Sequence, residues 1–250
     1  MKRLYILYLL PLLLACNKEK MPPPSYEPGV FFYSTFTNQI AGGTDSTAIA
    51  NVFTGQYSFY FSPQKTQDTF WFPIVRVMGA ASDHDRTIDL EVTGGDGIAG
   101  THYQLLPYIM PADSLTATLG IVLFKNALTD STLHITLQFK PNADFPATAL
   151  DSVLSGQYYY SNTFHLEATT KPIQPSYWSN VAIYMGKWSM VKYDFITTTL
   201  GKYLGVTDNP DDITNGYTDY LKVSNALTQY NLAHPGNPLR DENGKTVNLN

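Results

Sequence analysis

Cysteine and charge are both scarce in this sequence. Cys16 is the only cysteine in 250 residues, so no disulfide can form within the chain and no cysteine-rich metal site can be built. Asp, Glu, Lys and Arg together make up only 15%, the net charge is −5 and there is no basic cluster, which argues against a nucleic-acid partner. The longest apolar stretch, Leu4 to Leu14, falls short of the roughly 20 residues a membrane-spanning helix needs. The five histidines (His84, His102, His134, His165, His234) include no H-x-x-x-H pair. There is no G-x-S-x-G elbow and no phosphate-binding loop. No pair of carboxylates stands out, although the separation of a glycosidase pair is not written in sequence. No catalytic residues, no metal and no cofactor are expected.

Other features are plentiful. Hydrophobic residues reach 44% and aromatics 14%, a composition that supports a packed core. Lys2 and Arg3 precede the short apolar stretch, the pattern of an export signal. A plain signal peptide cut at a small residue would fit it. Leu13-Leu14-Ala15-Cys16 also resembles the bacterial lipoprotein signal. That resemblance implies that residues 1–15 are removed and that Cys16 carries the lipid, palmitate included. Each buried CH₂ contributes about 0.8 kcal/mol, so two or more acyl chains hold a protein on a membrane. Residues 16–28, with three consecutive prolines and no apolar period, read as an extended tether. The membrane is met through the lipid alone.

From 29 to 170 the signals are strands and turns. In "TLHITLQF", Leu133, Ile135, Leu137 and Phe139 fall on one face; in "TIDLEV", Ile88, Leu90 and Val92 do. Period two with one polar face marks a half-buried antiparallel strand. "YYYSNTFHLEA" reads as one strand with Tyr158, Tyr160, Phe164, Leu166 and Ala168 inward and Tyr159, Thr163, His165 and Glu167 outward. "QYSFYFS", "TFWFPIVRVM" and "LTATLGIVLF" are further candidate strands, with Pro73 suggesting an edge or a bulge. Short strands at this spacing suggest a β-sandwich.

From 171 to 250 the period becomes helical. Met185, Trp188, Val191, Phe195 and Thr199 follow a 3.6 repeat that stops at Gly201. Tyr217, Tyr220, Leu221, Leu227 and Tyr230 follow another, ending at His234-Pro235-Gly236. Trp178 and Trp188 are expected to seat these helices on the strands. "TDNPDD" (Asp208, Asp211, Asp212) reads as a solvated turn, and "SDHDRT" as a polar hairpin loop.

"DRTIDLEVTGGDGIAGTHYQLLP" and "MPADSLTATLGIVLF" resemble the Calx-beta module, an immunoglobulin-like sandwich. The order lipobox, "FYFSP", "PIVRVMG", "AGTHYQL", "WSMVKYDF" and "LTQYNLAHPGNPLRDENGKTV" is similar to a family of uncharacterised Bacteroidetes lipoproteins. The resemblance implies a mainly β, Calx-beta-like sandwich followed by a small, mostly helical C-terminal segment. It also implies a place beside importers of the SusC/SusD type in the outer membrane, on the cell surface rather than the periplasmic face, with a glycan or peptide as the possible ligand. The calcium-binding members use acidic clusters. The corresponding loop here offers only Asp130, so calcium is not expected.

The expected function is that of a non-enzymatic accessory lipoprotein of nutrient uptake. A surface glycosidase or peptidase with a dispersed site, and a structural or adhesion module of the envelope, are the alternatives. Exposed aromatics are the candidate contact residues: Tyr159 and its neighbour His165 on a polar strand face, and Trp71 beside Pro73.

Overall fold

A computed structural model describes residues 27–35, 53–72, 75–128, 132–148, 153–155 and 158–250. Cys16, the tether up to Tyr26, Pro73 and Asp130 lie outside the described residues, as does the side chain of Tyr159. The fold is mainly β. The strands are β1 (Gly29–Thr35), β2 (Thr54–Ser58), β3 (Gln67–Trp71), β4 (Val75–Met78), β5 (Arg86–Gly95), β6 (Tyr103–Leu105), β7 (Tyr108–Met110), β8 (Thr116–Ala117), β9 (Gly120–Phe124), β10 (Leu133–Lys140), β11 (Ala147–Thr148), β12 (Val153–Ser155), β13 (Tyr158–Ser161) and β14 (Thr163–Thr169). Helices follow: α1 (Trp178–Met185), α2 (Met190–Leu200), α3 (Asp211–Thr214) and α4 (Gly216–Ala233).

Among the described residues the strands form three sheets, ordered β12-β13-β1-β4-β8 with β11 beside β1, β2-β14-β10-β5-β7, and β3-β9-β6. Alternation decides which face each strand buries. Leu133, Ile135, Leu137 and Phe139 of β10 are all buried, and Ile88 and Leu90 of β5 face the same core, as the period required. Val30 and Phe32 of β1, Ile121 and Leu123 of β9, and Phe164 and Leu166 of β14 complete it, so all three sheets share one apolar core. The β5–β10 register shifts between Thr136 and Leu137, which pair with Gly94 and Val92 and leave Thr93 as the extra residue. Close by, Gly95 sits at φ +100° with His134 O only 2.0 Å from where a Cβ would be, so no other residue fits there without moving the strand.

Three runs that read as single strands are each divided between two sheets. "TFWFPIVRVM" gives β3 and β4, "LTATLGIVLF" gives β8 and β9, and "YYYSNTFHLEA" gives β13 and β14. The last break is a corner at Ser161-Asn162. Ser161 Oγ donates to Thr163 O and accepts the Thr163 N–H, while Asn162 O accepts the Phe139 N–H. The corner resets the alternation. Tyr160, expected inward with Phe164, instead packs with Phe31 and Tyr33 on the opposite face of the first sheet. "QYSFYFS" is β2 followed by a 3-10 turn at Phe59–Phe61, capped by Ser58 Oγ accepting the Tyr60 N–H.

The helices enclose a second core of Trp178, Val181, Met185, Tyr193, Ile196, Leu204 and Val223, against which Tyr60 and Phe61 of the 3-10 turn pack. Helix α2 starts where Ser189 Oγ accepts the Lys192 N–H and stops at Gly201, the expected breaker. Its buried stripe is Lys192, Tyr193, Ile196 and Thr197, one position off the expected set, and Met185 belongs to α1 instead. The ends of the two helices are tied together: Lys192 Nζ donates to Met185 O (3.1 Å) and Lys187 O (2.8 Å), meeting the unpaired carbonyls after α1. Burial holds this ammonium below its usual pKa. On α4, Tyr217 and Leu221 are exposed, while Asp219, Val223 and Leu227 face in. Asp212, expected to be solvated, is buried and accepts the Gly205 N–H at 2.6 Å.

Candidate functional site

The contact residues expected from sequence fall on three different sheets. Trp71 ends β3, an edge strand, and is 59% exposed. It lies opposite Gly120, where a Cβ would stand 2.8 Å from Trp71 Cε3, so the bare backbone leaves room for the indole. His165 is exposed on β14 with Nδ1 3.1 Å from Thr136 Oγ1 on the paired strand. Tyr159 belongs to β13, in the sheet of β1. These residues do not make one site. Asp83, His84 and Asp85 do occupy the turn before β5, where His84 Nδ1 stands 2.8 Å from Asp83 Oδ1.

What the fold does bring together is an aromatic seam between strands and helices. The Tyr60 hydroxyl donates to Asp194 Oδ1 at 2.9 Å and shares a 2.5 Å hydrogen bond with Thr197 Oγ1, both on α2. The Tyr203 hydroxyl returns a hydrogen bond to Tyr60 O at 2.8 Å, and the Tyr193 hydroxyl donates to Leu204 O at 2.9 Å. Ring centroids of Tyr60 lie 5.6 Å from Tyr203 and 6.2 Å from Tyr193. A cleft of about 440 Å³ opens here, walled by Phe59, Tyr60, Tyr203 and Thr198 with Lys125 and Lys202 at its sides. Lys202 Nζ lies 2.7 Å from Asp219 Oδ2, an ion pair with a buried carboxylate. A smaller hollow of about 240 Å³ includes Tyr57, Phe61, Asp68 and Pro175. There the Tyr57 hydroxyl donates to Asp68 Oδ2, which Lys65 Nζ also meets at 2.6 Å. Burial, and then Asp68 itself, push the Tyr57 hydroxyl well above its usual pKa. Burial alone would raise Asp68, but Lys65, Tyr57 and the Thr69 N–H together hold it below the usual carboxylate range. Aromatic faces thus stand beside threonine hydroxyls, with Tyr60 bonded to Asp194 and Lys202 to Asp219, while Tyr203, Tyr193 and Lys125 bond to backbone carbonyls.

The seam should show in alkaline titration. Burial first, and then the charge of Asp194, push the Tyr60 hydroxyl up to about 12, against the opposing hydrogen bond with Thr197. An unfolded tyrosine ionises near 10. Below pH 10 both states keep the proton and the contribution is whole. Between pH 10 and 12 the unfolded chain ionises first, so stability falls as pH rises. The Tyr60→Phe variant is expected to lose urea-midpoint stability less steeply over that interval than the parent. Equal slopes would contradict the assignment.

Among the described residues no three His, Cys, Asp or Glu side chains group as a metal site would, and no helix is long and apolar enough to cross a membrane. A family model described as a domain of unknown function, DUF4843, matches residues 44–202. The chain belongs to the DUF4843 family. The match takes in Trp71, His165 and Tyr60, runs through α1 and α2, and ends at Lys202, so the seam crosses the boundary of the DUF4843 region: Tyr203 and α4 lie beyond it. Cys16 lies ahead of it.

No curated protein matches the chain. Among solved structures it is similar to the crystal structure of CBD12 from CALX1.2, a Calx-beta protein, with 9% identity and a TM-score of 0.31, covering 47% of this chain and 42% of that one. It is also similar to WR4, an MSP family member of C. elegans, with 13% identity and a TM-score of 0.24, covering 48% of this chain and 93% of that one. The chain thus spans less than half the length of the CBD12 structure, and both likenesses are weak.

Sequence reading missed Tyr60 and Tyr203. "FYF" looked like strand, and Tyr203 stands just past a helix stop. The available signal was a dense aromatic triplet followed by Ser62-Pro63, which interrupts the strand period.

Proposed function

We propose that the protein is a non-enzymatic lipoprotein of the outer membrane that works by contact, as an accessory to a SusC/SusD-type importer of glycans or peptides. In this reading its strand region is an immunoglobulin-like, Calx-beta-like sandwich serving as a rigid platform, and Cys16 keeps it at the membrane. The observation that carries the contact reading is Trp71. A large indole, more than half exposed, stands on an edge strand beside the bare backbone of Gly120. Exposed tryptophans recur as anchors of binding surfaces because they bury much area at little entropic cost. The Leu13-Leu14-Ala15-Cys16 signal supports the address. A protein confined to one membrane meets its neighbours at high effective concentration, so weak interfaces are occupied.

Two measurements test this. Solubilised native membranes, purified on the protein, are expected to yield a SusC-type channel or its lidding lipoprotein. A panel of glycans and peptides is expected to be bound and not cleaved; cleavage that depends on one carboxylate would move the protein to the hydrolase class. Trp71→Ala is expected to weaken recovery of the partner about tenfold, while the unfolding free energy from urea titration changes by no more than about 0.5 kcal/mol, as befits an exposed side chain. A variant that recovers the partner as well as the parent would remove Trp71 from the interface.

A further inference from the structure

We propose that the pocket at the β4–β5 end of the strand region binds a small carboxylate, with Arg86 as its anchor. Arg86 opens β5 at an inward position, on the face that Ile88 and Leu90 turn to the core, and is only 5% exposed. Its Cζ lies over the Phe145 ring, 4.9 Å from the centroid, and Nη2 donates to Ser114 O at 3.2 Å. Nε is buried and has no hydrogen-bond partner, and among the described residues no carboxylate pairs with this guanidinium. A charge withdrawn from water and left without a counter-ion is costly. The ring covers one face of the guanidinium and Nη2 is held by Ser114 O, so Nη1 is the nitrogen left to meet a carboxylate.

Arg86 forms part of the wall of an open pocket of about 680 Å³. Gly79, Ala80 and Ala81 leave the space, and Asp83, His84 and Asp144 stand at the rim. Both rim carboxylates already have partners: Asp83 is 2.8 Å from His84 Nδ1, and Asp144 Oδ2 accepts the Thr87 N–H at 2.7 Å. They retain acceptor capacity, so the ligand that fits carries donors beside its acid group: hydroxyls, as in a uronic acid, or an ammonium, as in a short free peptide. A pocket of this size suits a ligand of one or two sugar or amino-acid units. This inference rests on the reading of the protein as a binding lipoprotein, but it is tested without any importer, so the two can fail separately.

The full chain, purified in detergent, is titrated by calorimetry with glucuronate and with alanylalanine. The methyl esters of both, which lack the carboxylate, serve as controls, with alaninamide alongside to match the cationic charge of the dipeptide ester. One acid is expected to bind, and its ester to bind about tenfold more weakly or worse. Arg86→Gln is expected to weaken the acid by a similar factor. Should that variant fail to fold, Ala81→Trp, an exposed position that blocks the pocket and leaves β5 intact, is expected to do the same. Which acid binds identifies the source. The proposal is overturned if neither acid binds, if the ester binds as well as the acid, or if Ala81→Trp binds like the parent.

Discussion

Phe32→Ala is expected to lower the unfolding free energy by about 3–5 kcal/mol, read as a drop in urea midpoint at unchanged slope. Phe32 is fully buried, and its centroid lies 4.5 Å from Phe139 on β10, 5.2 Å from Phe164 on β14 and 5.6 Å from Phe72, just past β3. One side chain of the first sheet therefore touches the second sheet and the end of a third-sheet strand. Its neighbours are themselves rings on paired strands, which collapse poorly into a vacated space, so the loss belongs in the upper part of the range. Against a typical total of about 5–15 kcal/mol this would leave little stability. Phe31→Ala supplies the contrast: Phe31 points to the opposite face and joins only the small cluster with Tyr33 and Tyr160. Its loss should be smaller. A Phe32→Ala cost below about 1.5 kcal/mol, or one no larger than that of Phe31→Ala, would mean that the three sheets do not depend on this ring.

Cys16→Ser is expected to move the protein almost completely from the membrane pellet to the soluble fraction, with its melting temperature unchanged. Cys16 is the sole thiol, placed directly after Leu13-Leu14-Ala15. At about 0.8 kcal/mol for each buried CH₂, two or more acyl chains would dominate membrane affinity, and among the described residues no helix is long and apolar enough to cross a membrane, so their loss is expected to release the protein. A serine variant that stays in the pellet would refute the lipid reading and take the outer-membrane proposal with it.

The alternation of β5 and β10 was legible because each strand buries one face against one core, and period two states that directly. What alternation does not state is the partner. At Phe72–Val75, Thr118–Leu119 and Ser161–Asn162 the chain passes from one sheet to another while apolar residues continue on both sides, so the breaks were invisible and Tyr160 was given the wrong face. Helix α1 was missed for another reason: "WSNVAIYM" has aromatic and β-branched residues, no side-chain cap, and owes its form to packing of Trp178, Val181 and Met185 in the second core. Of the contact residues, the exposure of His165 could be read from its strand face, whereas Trp71 was expected outward only from its place beside Pro73, β3 having no clean alternation. The seam at Tyr60 and the pocket at Arg86 could not, since each is assembled from segments far apart in the chain.

The position of β1 also decides how the molecule bears a load. A pull on the chain ahead of Pro28 enters the fold at Gly29, along the axis of β1. There β4 runs antiparallel over Gly29–Phe32, β11 runs parallel at Gly29–Val30, and β13 takes over antiparallel from Phe32 to Thr35. Antiparallel ladder bonds lie across the strand, so such a pull shears them together and does not peel them one at a time. A load applied there would be carried by the whole strand at once.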